Sequence, residues 1–481
     1  MTLSDFNSIL PLVVLVGWAV LLVLVDLWIP TGRKGITAVL AAAGLVAALV
    51  LVIPQVGMSK VALSGMAVVD GFATFLNVIF LGSGLVAIPL AHDYLKRLQI
   101  ERGEYYALLL FSVSGMVLMS YANDLIVVFL ALELLSIPLY VLAGFARPRS
   151  DSEEAALKYF LLGAFSSGFL LYGIALVFGA TAHHDLAGIT QVMASGQGNP
   201  TLFLMGAGLI LVSFGFKVAA VPFQQWAPDV YQGAPSPVTG FMSVAVKAAA
   251  IAALLRVFVT AFPSLSANLG PVLWVIAAAT MIGGNVLAIA QTNIKRLLAY
   301  SSIANAGYLL MAFVPYGNSQ VAADSIAASL FFLVSYGVTS FGAWAVVVAL
   351  EKAEGKGLEL NDFAGLGHKY PWLALSMLVF MLSFTGVPLT LGFWGKFYLF
   401  RTAIEGGYIS LALIGLITSL ISAYYYLKVV VIMYMRPGEP EVATDPWIRL
   451  TAIVAAAATV VLAFVPGPLL QMAAAAFMRL N

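Results

Sequence analysis

The sequence predicts an all-α, polytopic membrane protein, and three observations carry that prediction. The chain is 62% hydrophobic and only 9% charged, with a mean hydropathy of +1.00. Soluble globular chains carry about 25% charged residues, so this one has too little polar surface to cover a water-soluble body. Apolar runs of the ~20 residues that a helix needs to cross a bilayer recur along its whole length. Charges nonetheless lie inside some of these runs: Glu133, Lys217, Lys247 and Lys396. A charge at the bilayer centre costs roughly 2.5–3.5 kcal/mol even on a lenient insertion scale. Side chains kept at that cost are used, paired, or both. The pattern implies a chain that moves protons or other small cations through its interior.

Taken in order, the runs give about fourteen helices, near 9–29, 36–54, 72–91, 105–121, 124–145, 155–178, 202–226, 236–262, 271–290, 296–315, 321–350, 372–400, 408–435 and 447–473. No soluble domain is expected, and 1–481 reads as a single membrane domain. The first cations, Arg33 and Lys34, follow the first run, so that run reads as a retained helix rather than a cleaved signal. The longest polar connector is 351–370, EKAEGKGLELNDFAGLGHKY. Connectors on one side carry Arg33, Lys34, Lys96, Arg97, Arg102, Arg147, Arg149, Lys295, Arg296, Lys352, Lys356, Lys369, Arg436 and Arg449. The other side carries Lys60, Arg401 and Arg479. The positive-inside rule puts the basic side in the cytoplasm and both termini on the periplasmic face of a bacterial inner membrane.

The seventh and twelfth helices read as broken. In the seventh, Pro222 follows Lys217 by five residues; in the twelfth, Gly386 and Pro388 precede Lys396. Both contain a Val-Pro step, and five helices separate them, so they cross in opposite directions. Interrupted helices at matching places in two halves suggest an inverted repeat with its site at the breaks. The repeats would be helices 4–8 (101–262) and 9–13 (271–435), after three N-terminal helices (1–100) and before a last helix (447–473).

Glu133 lies eight residues into its run, too deep to snorkel, and reads as an acid that pairs with a buried lysine. For Lys217, burial favours the neutral amine and a nearby carboxylate favours the ammonium. At about 4 Å and an effective dielectric near 20, such a pair is worth about 4 kcal/mol, so moving the carboxylate would convert a held proton into a transferable one. Lys247 sits midway through helix 8 and reads as a relay group. Lys396 lies closer to an end, where snorkelling competes with relay function. Lys158, just after Asp151, Glu153 and Glu154, is a possible relay member or an interfacial lysine. Arg256 and Lys428 read as structural or snorkelling side chains.

The remaining signals narrow the chemistry. Net charge is +1 and cysteine is absent, which argues against nucleic acid as a partner and removes disulfides, thiolate zinc and cysteine-ligated iron–sulfur sites. The four histidines, His92, His183, His184 and His368, fall in or beside connectors and read as solvated. No Walker motif, dinucleotide fingerprint or haem-attachment pattern is present. Gly206 and Gly208 lie in an apolar helix, where small residues serve packing.

The segment GFKVAAVPFQQWAPDVYQGAPSPVTGFMSVAVKAAA (215–250) resembles the signature of the antiporter-like membrane subunits of respiratory complex I, NADH:quinone oxidoreductase. QTNIKRLLAYSSIANAGYLL (291–310) and GVPLTLGFWGKFYLF (386–400) belong to the same pattern. Among these subunits the chain is most similar to the N type. It stops after the fourteenth helix, it carries Lys396 where the M type usually has a glutamate, and Lys158 sits in an N-like sequence. The resemblance implies that Glu133, Lys217, Lys247 and Lys396 form a polar, water-filled axis at mid-membrane. It implies no cofactor and no metal in this chain, with NADH, flavin, iron–sulfur clusters and quinone (ubiquinone or a relative) in partner subunits. The implied partners are other antiporter-like and small membrane subunits and lipids. Two other readings remain at this point: a subunit of a multisubunit cation/proton antiporter, and a spacer without an ion path of its own.

Overall fold

The computed structural model describes residues 3–352, 355–443, 445–476 and 478; Arg479, counted above among the basic residues, lies outside them. The chain is mostly helical, and each predicted apolar run forms a helix or a pair of half-helices. Among the described residues, eleven helices are long and apolar enough to cross a membrane. Large apolar side chains such as Val39, Phe165 and Leu420 stand exposed on their outer faces, as expected where lipid rather than water surrounds the bundle.

Several boundaries differ from the expected ones. The third helix continues through Lys96 and Arg97 to end at Arg97 (Gly71–Arg97), because its polar last turn can leave the bilayer without unwinding. The sixth begins at Ser150 (Ser150–Thr181), so Lys158 lies two turns inside it rather than at its opening. The last run divides into Pro446–Phe464 and Pro466–Ala475 at Pro466. A hairpin of two short strands, Lys60–Ala62 and Ala67–Val69, was not anticipated. Gly206 does serve packing: a Cβ there would lie 2.8 Å from the Gly173 carbonyl, whereas Gly208 faces open space.

Both expected breaks are present, and both have the same backbone form. Pro200–Lys217 stops at Lys217, and Trp226–Gly233 resumes the path. Pro371–Thr385 stops at Thr385, and Leu391–Glu405 follows. In the first, Ala219 is left-handed (φ 59°), with Ala219 N–H donating to Phe216 and Ala220 N–H to Gly215. In the second, Gly386 is left-handed (φ 88°), with Gly386 N–H donating to Ser383 and Val387 N–H to Leu382. Each is a Schellman closure, which satisfies carbonyls that a helix end would otherwise leave orphaned.

Ser236–Ala261, the helix after the first break, contains a π-helical segment, Met242–Val246, directly before Lys247. Such inserted turns gather at functional sites. Arg256, on the same helix, is a structural side chain and does not snorkel. It is 2% exposed and makes a bidentate pair with the buried Asp70 at 2.8 and 2.9 Å. It also donates to the Ser120 carbonyl and stacks over Phe72. A guanidinium reaches this depth only with a matched fork of acceptors.

Candidate functional site: three buried lysines

Lys217 is the last residue of its half-helix and is 2% exposed. The C-terminal end of a helix favours a cation. Its Nζ donates to Ser136 Oγ at 2.7 Å and reaches the Tyr140 hydroxyl at 3.4 Å. The rings of Tyr140, Tyr159 and Phe216 lie within 5.4–6.0 Å of it. Glu133, Ser136 and Tyr140 share one face of Leu125–Ala143. The expected direct ion pair is not formed. Half-buried Glu133 accepts a short hydrogen bond from Ser167, while the ammonium donates to Ser136 instead. The carboxylate remains electrostatically coupled to Lys217 without touching it.

Lys247 is 3% exposed and donates to both the carbonyl and the hydroxyl of Ser302, the latter at 2.5 Å. The Tyr336 ring lies 5.9 Å away. Lys396 does not snorkel: it is 4% exposed. It turns back to the break before it, donating to the Phe384 carbonyl at 2.7 Å, Thr385 at 3.2 Å and Ser419 Oγ at 2.8 Å, with Tyr308 4.8 Å away. The free carbonyls at the end of Pro371–Thr385 thus hold a cation from the next half-helix. Among the described residues, no carboxylate forms an ion pair with any of these three lysines. Each of the three also donates to at least one hydroxyl, and a hydroxyl both donates and accepts, so it can pass a proton on.

Lys158 differs from these three lysines. Its side chain is 40% exposed and pairs with Glu154 at 2.7 Å and Asp229 at 2.8 Å. Asp229 also pairs with Arg296. Asp229 thus accepts from two cations, Lys158 and Arg296. Lys428 reaches the Gln291 carbonyl at 3.4 Å, the geometry of a helix-end lysine. Among the described residues, no cluster of metal-ligating side chains occurs.

Lys295 and Glu351 were assigned to connectors, yet Lys295 is fully buried and Glu351 is 1% exposed. Both lie at the ends of apolar runs, where sequence alone suggests water.

Comparison with known proteins supplies the family. Residues 122–422 match the family described as "NADH:quinone oxidoreductase/Mrp antiporter, TM". The chain is 46% identical to NADH-quinone oxidoreductase subunit N of Chloroflexus aggregans, over 96% of this chain and 95% of that one. It is 44% identical to the same subunit of Trichlorobacter lovleyi, over 98% and 96%. A solved chain of respiratory complex I from Thermus thermophilus with bound aureothin matches with a TM-score of 0.83 and 36% identity, covering 96% of this chain and 99% of that one. A chain of the Mrp complex from Dietzia sp. matches with a TM-score of 0.85 at 20% identity, over 99% and 97%, a likeness of fold. These are integral membrane proteins of the antiporter-like class. The chain belongs to the NADH-quinone oxidoreductase subunit N family.

Proposed function

We propose that this chain is a proton-translocating membrane subunit of NADH:quinone oxidoreductase, acting beside the complex's other membrane subunits. One observation carries the reading: Lys217, Lys247 and Lys396 are all at least 96% buried, and among the described residues each is hydrogen-bonded only to uncharged oxygens. A static ion pair would need a counter-charge in contact, and apolar residues would pack a spacer at least as well. Glu133 and Lys217 form the switchable member, Lys247 the centre and Lys396 the outlet toward the periplasmic face. Lys158, on the cytoplasmic side with Asp229, attends the relay. Redox chemistry in partner subunits shifts the charge balance at Glu133, and the lysines exchange protons in turn.

The finer architecture belongs to the same proposal: fourteen crossings, both termini periplasmic, and inverted repeats over 101–262 and 271–435, flanked by 1–100 and 447–473. The matched Schellman breaks support it. So do two isolated bridges at corresponding helix starts, Asp124 with Asp185 and Asn293 with Glu359. In that register Ser302 takes the place of Glu133, nine residues after the N-cap.

The test is proton pumping by the assembled complex carrying Glu133→Ala or Lys217→Ala. Pumping should fall in both, together with quinone reductase activity. Full pumping in both, with normal assembly, would reject the relay in favour of a spacer. Co-purification of the chain with NADH-oxidising subunits separates this reading from a cation/proton antiporter.

A further inference from the structure

A second acid–base couple lies at the end of the bundle where the basic connectors gather. Glu351 caps the C-terminus of Ala322–Leu350, and its side chain is fully buried. Its Oε1 accepts from the Tyr94 hydroxyl at 3.0 Å and from Arg149 at 3.2 Å. Its Oε2, also buried, has no hydrogen-bond partner among the described residues. Lys295 is the second residue of Ile294–Phe313 and donates to the Ala234 carbonyl at 2.6 Å.

Each charge is at the wrong end of its own helix. A carboxylate is disfavoured at a C-terminus and an ammonium at an N-terminus. Each offsets the other, because the two are electrostatically coupled without contact, the same arrangement as Glu133 and Lys217. The other groups facing them are Tyr94 and Arg97 on Gly71–Arg97, and Arg149 and Asp151 at the start of Ser150–Thr181. Arg97 is itself occupied by Asp445. A clamp between these elements would need only Arg149 and Tyr94. A buried lysine and an unpaired carboxylate oxygen add cost without adding a contact.

The couple also has a direction. Lys295 and Ser302 are seven residues apart, two turns along one face of Ile294–Phe313, or roughly 10 Å. Ser302 is the group that holds Lys247, and the Tyr231 and Tyr336 hydroxyls flank it. On the outer side, Arg149 joins Glu351 to Asp151, whose side chain is 50% exposed.

We propose that Glu351 and Lys295 form the proton-loading station that supplies Lys247 from the cytoplasmic side. This rests on the translocation reading above. Lys295 gives up one proton through the Tyr231 and Ser302 hydroxyls to the Lys247 amine. Glu351, having taken a proton from water, passes it to the Lys295 amine and returns to the carboxylate. One proton enters, one leaves, and the station is restored.

The experiment uses the assembled complex in inverted membrane vesicles, whose outer bath sets the cytoplasmic-side pH. Pumping per NADH oxidised is followed from mildly acid to mildly alkaline conditions. Glu351→Gln should slow pumping roughly tenfold or more at the alkaline end and less at the acid end, where protons are abundant. Glu351→Asp, which keeps a carboxyl, should restore the profile. Lys295→Arg keeps the charge and the bond to Ala234 but cannot release a proton, and should be slow too; it decides the matter if Glu351→Gln fails to assemble. Normal rates in either assembled variant, or the same loss at every pH, would overturn the station. Lys247→Ala separates the two levels. If it pumps normally, the relay reading fails. If it stops while Glu351→Gln and Lys295→Arg pump normally, only the loading station fails.

Discussion

The two helix breaks end their half-helices identically and place their lysines oppositely. Aligning the left-handed residues, Ala219 with Gly386, puts Lys217 opposite Phe384. In the first break the lysine is part of the half-helix that stops. In the second it comes from the half-helix that follows and lies on the stopped helix's last carbonyls. Lys217 has a carboxylate within electrostatic reach; Lys396 has carbonyl dipoles and a serine. A carboxylate can be protonated or displaced, whereas a carbonyl dipole is constant. On the proposed relay, the first site would therefore be addressed by charge arriving from elsewhere, and the second would follow its neighbours.

The largest expected effect tests that difference directly. Lys217→Ala should abolish most pumping, and combining it with Glu133→Gln should add little, a coupling of about 1 kcal/mol or more. Glu133→Gln with Lys396→Ala should be close to additive in the logarithm of the pumping rate. Additivity in both double variants would dismiss the distinction between the breaks.

An intermediate effect is expected at the second break. Lys396→Arg keeps a cation on the Phe384 and Thr385 carbonyls but cannot release its proton readily, so pumping should slow by roughly tenfold. Lys428→Arg, at a helix-end position, should leave the rate near that of the parent. Normal pumping by Lys396→Arg would mean that charge alone suffices there. If Lys428→Arg is the damaging change, the outlet lies on a different helix.

The smallest effects concern the closures themselves. A side chain on Gly386 meets a left-handed backbone and a contact of 3.2 Å to Lys396 Cδ. Gly386→Ala should therefore destabilise by about 1–2 kcal/mol. Ala219→Gly relieves the same backbone cost and should stabilise by about 1 kcal/mol. The inactivation temperature of the purified complex reads both; equal shifts of one sign would break the equivalence of the two closures.

Much of this was legible in the sequence for physical reasons. Apolar runs mark membrane helices because lipid satisfies no backbone polar group, and Pro222 and Pro388 mark breaks because proline lacks a donor. The lysines stood out because their surroundings in sequence are apolar. Their partners did not. Ser136, Ser302 and Ser419 are ordinary residues in other helices, and only tertiary packing brings them to an ammonium. The partner of Arg256 was hidden for the same reason, since Asp70 lies 186 residues away. Lys295 and Glu351 were hidden by position: the ends of apolar runs look solvated until neighbouring elements cover them.

The π-helical segment before Lys247 acts as a phase offset. One surplus residue in a turn rotates everything after it by ~100° relative to an unbroken α-helix. Lys247 and Arg256 both lie after it, nine residues or two and a half turns apart, and so point in opposite directions. Arg256 is pinned to Asp70 on one side, and Lys247 meets Ser302 on the other. The buried arginine thus works as a keel: by fixing the helix's rotation against the N-terminal helices, it sets the bearing of the lysine on the opposite side.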